Sequence, residues 1–160
     1  IVGAHLDALF GPVLLFGAGG TAVEVLADRA VALPPLNRAL AADLVSRTRI
    51  ARLLAGYRDR PAAQLDAVHD VLIAVARLLA ERPEVAELDI NPLLADEHGV
   101  LAVDARVRVS AARPGGQARF AIRPYPAELA ETLDWRGQRL VVRPIRPEDE
   151  PAHRRFIERL

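Results

Sequence analysis

Apolar and polar residues alternate most regularly over two runs separated by a short polar turn. In the first, Leu88, Ile90 and Leu94 fall on one side of an extended chain and Asp89 and Asn91 on the other. In the second, Leu101, Val103, Ala105, Val107 and Val109 form an apolar face, while Asp104, Arg106 and Arg108 share the opposite face with Val100 and Ala102. The pattern predicts an antiparallel hairpin with its loop centred on Glu97-His98 and shouldered by Asp96 and Gly99. In that register Asn91 stands opposite Asp104 and Asp89 opposite Arg106, at a cross-strand spacing of about 5 Å.

Upstream, the short run Ile1–Ala4 reads as a strand, Gly11-Pro12 as a turn and Val13–Phe16 as a second strand broken by Gly17, Gly19 and Gly20. The chain becomes strand-like again from Thr21, and Arg29–Leu33 is a further strand ending at Pro34-Pro35. Asn37 caps a helix starting near Arg38, with Leu40, Leu44 and Val45 as its apolar positions. Ile50, Leu53 and Leu54 belong to a segment that stops at Gly56. From Pro61 to Pro83 a longer helix carries Leu65, Val68, Leu72, Val75 and Leu79 at spacings of three and four, a core-facing stripe. This order predicts an α+β lobe over residues 1–110, with helices on one face of a largely antiparallel sheet.

Pro and Gly interrupt all periodicity over 111–117, which reads as a linker. In the connecting segment, 118–138, Arg119–Arg123 is a strand and Pro126 opens a short helix through Leu133. Asp134–Gln138 then turns into the strand Arg139–Arg143, and a helix starts at Pro147-Glu-Asp-Glu, where proline in the first turn and acids near the positive end of the dipole agree.

Composition removes several classes of function. With 51% hydrophobic residues, 160 residues suffice for a real core, and a formal charge of zero supplies no global field for nucleic acid. Charge is uneven: 11 Arg face 14 acids over residues 1–109, and 10 Arg face 7 acids beyond. That modest basic excess reads as a solvated surface. With no cysteine there are no disulfides or thiolate metal sites, in keeping with a cytoplasmic setting, and no secretory signal or membrane-length apolar run is visible. All 21 basic residues are arginine, so no lysine serves as a phosphate-binding ammonium or Schiff-base former. A start at Ile1, with no Met anywhere, reads as a piece of a longer protein.

An amide oxygen and a carboxylate facing each other across a hairpin suit magnesium, a hard cation that completes its octahedron with water and substrate phosphates. The alternative for Asn91 and Asp104 is a solvated hairpin face, with Asp89 and Arg106 an ordinary surface ion pair. The Gly17–Gly20 loop brings backbone N–H groups toward phosphate or is simply a glycine-rich turn; it matches neither the P-loop nor the dinucleotide fingerprint. Glu24, from the residues alone, is a solvent-facing strand carboxylate.

Leu-Asp-Ile-Asn-Pro-Leu (88–93) followed by Val-Leu-Ala-Val-Asp-Ala-Arg (100–106) resembles the carboxy-terminal part of the ATP-grasp domain of nucleotide-diphosphate-forming acyl-CoA synthetases, relatives of succinyl-CoA ligase. The run Phe10–Leu26 resembles the same family, in the same order. The resemblance implies Asn91 and Asp104 as magnesium ligands, Asp89 beside the nucleotide phosphates, ATP or ADP as ligand, and acyl-CoA as a partner of the whole protein; Gly19, Gly20 and Glu24 are the further candidates beside the nucleotide. A second ATP-grasp lobe is a further implied partner, with self-association through the face it would cover as the alternative. Residues 139–160 resemble the entry to a GNAT acyltransferase domain, first strand, Arg-Pro-x-x-Pro-Glu-Asp turn and first helix, with acetyl-CoA as its implied substrate. Fusions of the two kinds of region form a known bacterial family that includes protein lysine acetyltransferases.

None of His5, His69, His98 and His153 matches the phosphorylated-histidine motif of such synthetases; His69 reads as a flank of the helix stripe. The segment alone is expected to be inert. Two rivals to a ligase–acyltransferase fragment stand beside it: a non-catalytic module that regulates a fused lysine acetyltransferase through ligand binding, and an assembly lobe whose hairpin packs on a partner.

Overall fold

The computed structural model describes residues 1–19, 28–111, 120–122 and 126–159. The strand expected from Thr21, the linker's residues 112–117, and Gly20 and Glu24 lie outside the described residues.

Residues 1–122 form one compact unit. Its five-stranded antiparallel sheet has the order β3-β2-β1-β4-β7, from β1 (Val2–Asp7), β2 (Gly11–Gly17), β3 (Arg29–Ala32), β4 (Val85–Ile90) and β7 (Ala105–Val109). The α+β architecture with a largely antiparallel sheet is the expected one. The first turn lies at 8–10 rather than at Gly11-Pro12. There Asp7 Oδ1 accepts from the backbone N–H of Leu9 at 2.8 Å and Phe10 at 2.9 Å, an Asx turn that holds the Asp7 carboxyl below its usual range.

Helix α1 (Arg38–Ser46) begins where Asn37 Oδ1 accepts from Leu40 N at 2.9 Å, the expected cap. Ala41, Leu44 and Val45 face inward, whereas Leu40 faces solvent. Asp28 fixes α2 (Ile50–Leu54) from outside: its two carboxylate oxygens accept from Arg49 N and Ile50 N, each at 2.7 Å. Helix α3 (Leu65–Glu81) starts four residues later than Pro61 implies, because Ala63 N and Gln64 N donate to Leu54 O and Asp96 O, at 2.8 Å each, and hold 61–64 off the helix. Its stripe Val68, Leu72, Val75 and Leu79 is buried against Val2, Leu14, Phe16, Leu88 and Ile90 of the sheet. His69 is buried too, with Nδ1 3.7 Å from Asp66 Oδ1 and unbonded, so it is a core neighbour and not a flank.

Between β4 and β7 the chain runs out through β5 (Leu93–Asp96) and back through β6 (Gly99–Ala102), a separate two-stranded sheet. The predicted register holds from Glu87–Arg108 to the turn, with Asp89 facing Arg106 and Asp96 facing Gly99, and it slips by one residue only beyond Glu87, where Val85 faces Val109. Pro92, which has no N–H for a ladder, marks the passage from one sheet to the other. The apolar residues of β7 are not buried: Val107 and Val109 are more than half exposed, because β7 is an edge strand without a helix over it among the described residues.

Residues 123–160 form the second unit. Two elements expected over 118–138 differ, the first of them at the end of the first unit. Phe120–Ile122, within the expected strand 119–123, are not strand, and the helix expected from Pro126 to Leu133 is a 3-10 turn, Ala127–Leu129, leading into β8 (Glu131–Trp135). Thr132, Leu133 and Trp135 favour a strand, and Arg136 and Gly137, at φ 50° and 80°, make the two-residue turn into β9 (Gln138–Val142). A 3-10 turn, Pro147–Asp149, then leads into α4 (Glu150–Ile157). Both Nη atoms of Arg143 donate to the Asp149 carboxylate at 2.7 Å, and Arg146 N adds a bond of 2.8 Å. These bonds hold the Asp149 carboxyl down to about 2. No helix among the described residues is long and apolar enough to cross a membrane.

Candidate functional site

Alternation along β1, β2, β4 and β7 sends one set of side chains into the core and leaves the other on a face that is largely open among the described residues, buried Val13 excepted. There the ladders line up rows of residues: Arg106, Asp89, Gly3 and Leu15 form one, and Arg108, Glu87, His5 and Val13 the next. A shallow cleft of about 520 Å³ follows these rows, with Gly3, His5, Leu15, Asp89, Arg106 and Arg108 in its lining. At its floor Gly3 offers bare backbone, since a Cβ there would sit 3.7 Å from Leu15 Cβ and 3.8 Å from Leu88 O. Gly3 was not singled out by sequence, and His5 was weighed there only as a phosphorylated histidine, whose motif it does not match. The available signal was a glycine inside a strand-like run, which marks a close backbone approach as readily as a weak strand.

Asn91 and Asp104 stand at one end of this face. Asn91 N donates to Asp104 O at 3.1 Å and Val103 N to Pro92 O at 3.1 Å, so the two residues are cross-strand neighbours where the hairpin leaves the main sheet. Gly19 comes to the same end from β2: a Cβ on it would lie 3.5 Å from Asn91 Oδ1 and 3.1 Å from Ile1 Cγ2. Gly17 is constrained harder, because a Cβ would lie 2.2 Å from Asp28 O. Four predicted site residues, Gly19, Asp89, Asn91 and Asp104, are thus gathered along one edge of the open face.

Arg106 Nε lies 3.3 Å from Asp104 Oδ2, and Arg108 Nε donates to Glu87 Oε2 at 2.8 Å. Among the described residues no group of three or more His, Cys, Asp or Glu converges as a metal centre. The Asn91–Asp104 pair offers one amide and one carboxylate oxygen, which fits a cation that draws its other ligands from water and phosphate and not one that needs a closed protein cage.

A helix-backed antiparallel sheet that keeps its other face open, with oxygen donors at the end of a hairpin, defines the class: residues 1–109 match the model of the ATP-grasp domain, and the chain belongs to that family. Within it, the chain is similar to ADP-forming acetate–CoA ligases. It is 40% identical over 107 residues to acetate–CoA ligase (ADP-forming) I of Archaeoglobus fulgidus, which covers 67% of this chain and 16% of the ligase. It is 37% identical over 107 residues to the beta subunit of the Pyrococcus furiosus enzyme I, covering 67% of this chain and 46% of the subunit. The solved dinucleotide-forming acetyl-coenzyme A synthetase 1 of Ca. Korarchaeum cryptofilum, in complex with coenzyme A and Mg-AMPPCP, superposes with a TM-score of 0.65 at 34% identity, over 68% of this chain and 51% of that one. The chain therefore spans half or less of the length of these two curated relatives.

Proposed function

We propose that residues 1–109 are the lobe of a nucleotide-diphosphate-forming acyl-CoA synthetase that carries magnesium and ATP or ADP on the open face of its sheet. The observation that carries this reading is the cross-strand placement of Asn91 and Asp104 beside Gly19, at the end of a face lined by Gly3 and Asp89. Asn91 and Asp104 hold the metal, Asp89 and Gly19 lie beside the phosphates, and Gly3 leaves room for the nucleotide over the sheet. When bound, magnesium neutralises charge on phosphoryl oxygens during transfer. With no lysine in the chain, arginines supply every side-chain cation that this lobe turns toward phosphate. The Korarchaeum relative, seen with coenzyme A and Mg-AMPPCP, supports the same ligand set, with CoA and the acyl group bound elsewhere in the whole protein.

The test is magnesium-dependent ATP and ADP binding by the intact protein, compared with Asn91→Ala and Asp104→Ala. Loss of metal-dependent binding in both, with the circular-dichroism spectrum and melting midpoint retained, is the expected result. Unchanged affinity in both variants overturns the assignment and leaves the hairpin as scaffold.

For residues 139–160 we infer the entry of a GNAT acyltransferase. A strand, a turn clamped by Arg143 on Asp149, and a helix from Glu150 with Pro151 in its first turn follow in the order that such a domain requires. Acetyl transfer from acetyl-CoA to an amine by the intact protein is expected; absence of both acetyl-CoA binding and transfer removes this reading and leaves that of residues 1–109 standing.

A further inference from the structure

Arg106 stands between two carboxylates. Its partner across the β4–β7 ladder is Asp89, and its Nε lies 3.3 Å from Oδ2 of Asp104, two residues back along the same chain. The next arginine on this face, Arg108, is engaged with Glu87. The Arg106 and Asp104 side chains are 82% and 52% exposed, and an ion pair so placed contributes almost nothing to folding. It breaks at little cost. Asp104 is also one of only two side chains assigned above to the metal, so its carboxylate cannot keep this guanidinium as a close partner and ligate a cation unopposed.

We propose that Arg106 is a positioning residue that makes metal binding conditional on nucleotide: it occupies the Asp104 carboxylate in the unliganded lobe and shifts toward Asp89 and the nucleotide phosphates when a metal–nucleotide complex arrives. The inference rests on the assignment of Asn91 and Asp104 in the preceding subsection. A unit positive charge a few ångströms away opposes the entry of a divalent ion. A lone magnesium ion, reluctant to shed water, gains little from one amide and one carboxylate. Phosphate changes both terms, because it brings further oxygens to the metal and gives the guanidinium a bidentate anion to move to. Metal and nucleotide then favour each other's binding, reciprocally and by the same factor.

The experiment measures Mn2+ affinity of the intact protein, alone and with saturating ADP, by electron paramagnetic resonance and calorimetry. Wild type is expected to bind Mn2+ weakly alone and more tightly with ADP. In Arg106→Gln, affinity for Mn2+ alone rises by about tenfold, as the competing pair and the opposing charge are both removed, and the gain conferred by ADP shrinks by a similar factor. Arg106→Lys, which keeps the charge without the planar fork, holds the affinity for Mn2+ alone near wild type and recovers part of the dependence on ADP. Unchanged Mn2+ affinity with an undiminished ADP effect in Arg106→Gln overturns the proposal, as does a weakening of metal binding both with and without ADP, which is the signature of a scaffold. Asn91→Ala separates the two levels: if Mn2+–ADP binding survives it unchanged, the metal assignment itself has failed; if binding is lost there while Arg106→Gln behaves as wild type, only the role of Arg106 has failed.

Discussion

The two faces of the five-stranded sheet are made from alternate residues of the same strands, yet they are built on opposite principles. On the helix side Val2, Leu14, Phe16, Leu88 and Ile90 are sealed beneath α1 and α3, and each buried large side chain contributes a few kcal/mol through area removed from water. On the other side Gly3, His5, Glu87, Asp89 and Arg106 stay within reach of solvent. Glu87 pairs with Arg108 and Arg106 with Asp104, each at little energetic gain. One face stores the stability and the other is free to exchange partners, so a ligand site placed there can change its contacts without unmaking the fold.

The sharpest test of that division uses one residue from the buried row. Leu88 is 6% exposed, and Leu88→Ala is expected to destabilise the protein by about 3 kcal/mol, transfer and cavity together, in urea unfolding followed by circular dichroism. A cost below about 1 kcal/mol would mean that the helix side does not hold the sheet in place. The next effect falls where the faces meet, at the end of β2. Gly17→Ala drives a Cβ to within 2.2 Å of Asp28 O, a backbone atom, and overpacking of that kind costs about 2 kcal/mol. Because Asp28 also caps the start of α2, amide hydrogen exchange at Arg49 and Ile50 is expected to speed up in the same variant. Protection retained there would show that the strand end and the helix start are independent.

How much of this was open to a reader of the sequence follows from the same alternation. The period of two from Leu88 to Val109 carries the register of the hairpin, because a slip of one residue would turn every apolar side chain outward. Asn91 and Asp104 were therefore legible as neighbours before any fold was known, as was the α3 stripe from its spacing of three and four. What alternation cannot say is whether a face is covered. The valines of β7 look like core and are exposed, since cover depends on which elements pack over an edge strand. Pro61 looked like a helix start because the competing acceptors, Leu54 O and Asp96 O, are remote in sequence. In 126–135 the proline and acid of a helix start masked the Thr132, Leu133 and Trp135 strand and its Arg136-Gly137 turn. Gly3 escaped notice because a missing side chain leaves no chemical mark.

Gly3 gives the third test. Its φ lies outside the left-handed region and an added Cβ meets only ordinary contacts, so Gly3→Ala is expected to fold as wild type, within about 0.5 kcal/mol. Gly3→Leu projects a branched side chain over the floor of the cleft and is expected to weaken ADP binding by about tenfold or more, roughly 1.4 kcal/mol, with the melting midpoint nearly unchanged. Titration with a fluorescent ADP analogue reads the difference. Undiminished affinity in Gly3→Leu would move the nucleotide off this part of the sheet while leaving Asn91 and Asp104 to be judged separately.

The smallest effect is the most demanding of the comparison. Glu87 is the immediate chain neighbour of Leu88 and makes the shortest ion pair of the open face, 2.8 Å to Arg108. If that face stores no stability, Glu87→Ala costs less than about 0.5 kcal/mol, and a double-mutant cycle with Arg108→Ala gives a coupling no larger than that. The contrast with Leu88→Ala, one residue along the same strand, would then be about sixfold. A coupling well above 1 kcal/mol would show that charge pairs brace the open face as the core braces the other. Breaking the Arg106–Asp104 pair would then carry a cost in folding, and its exchange for metal would no longer be the easy step that its exposure implies.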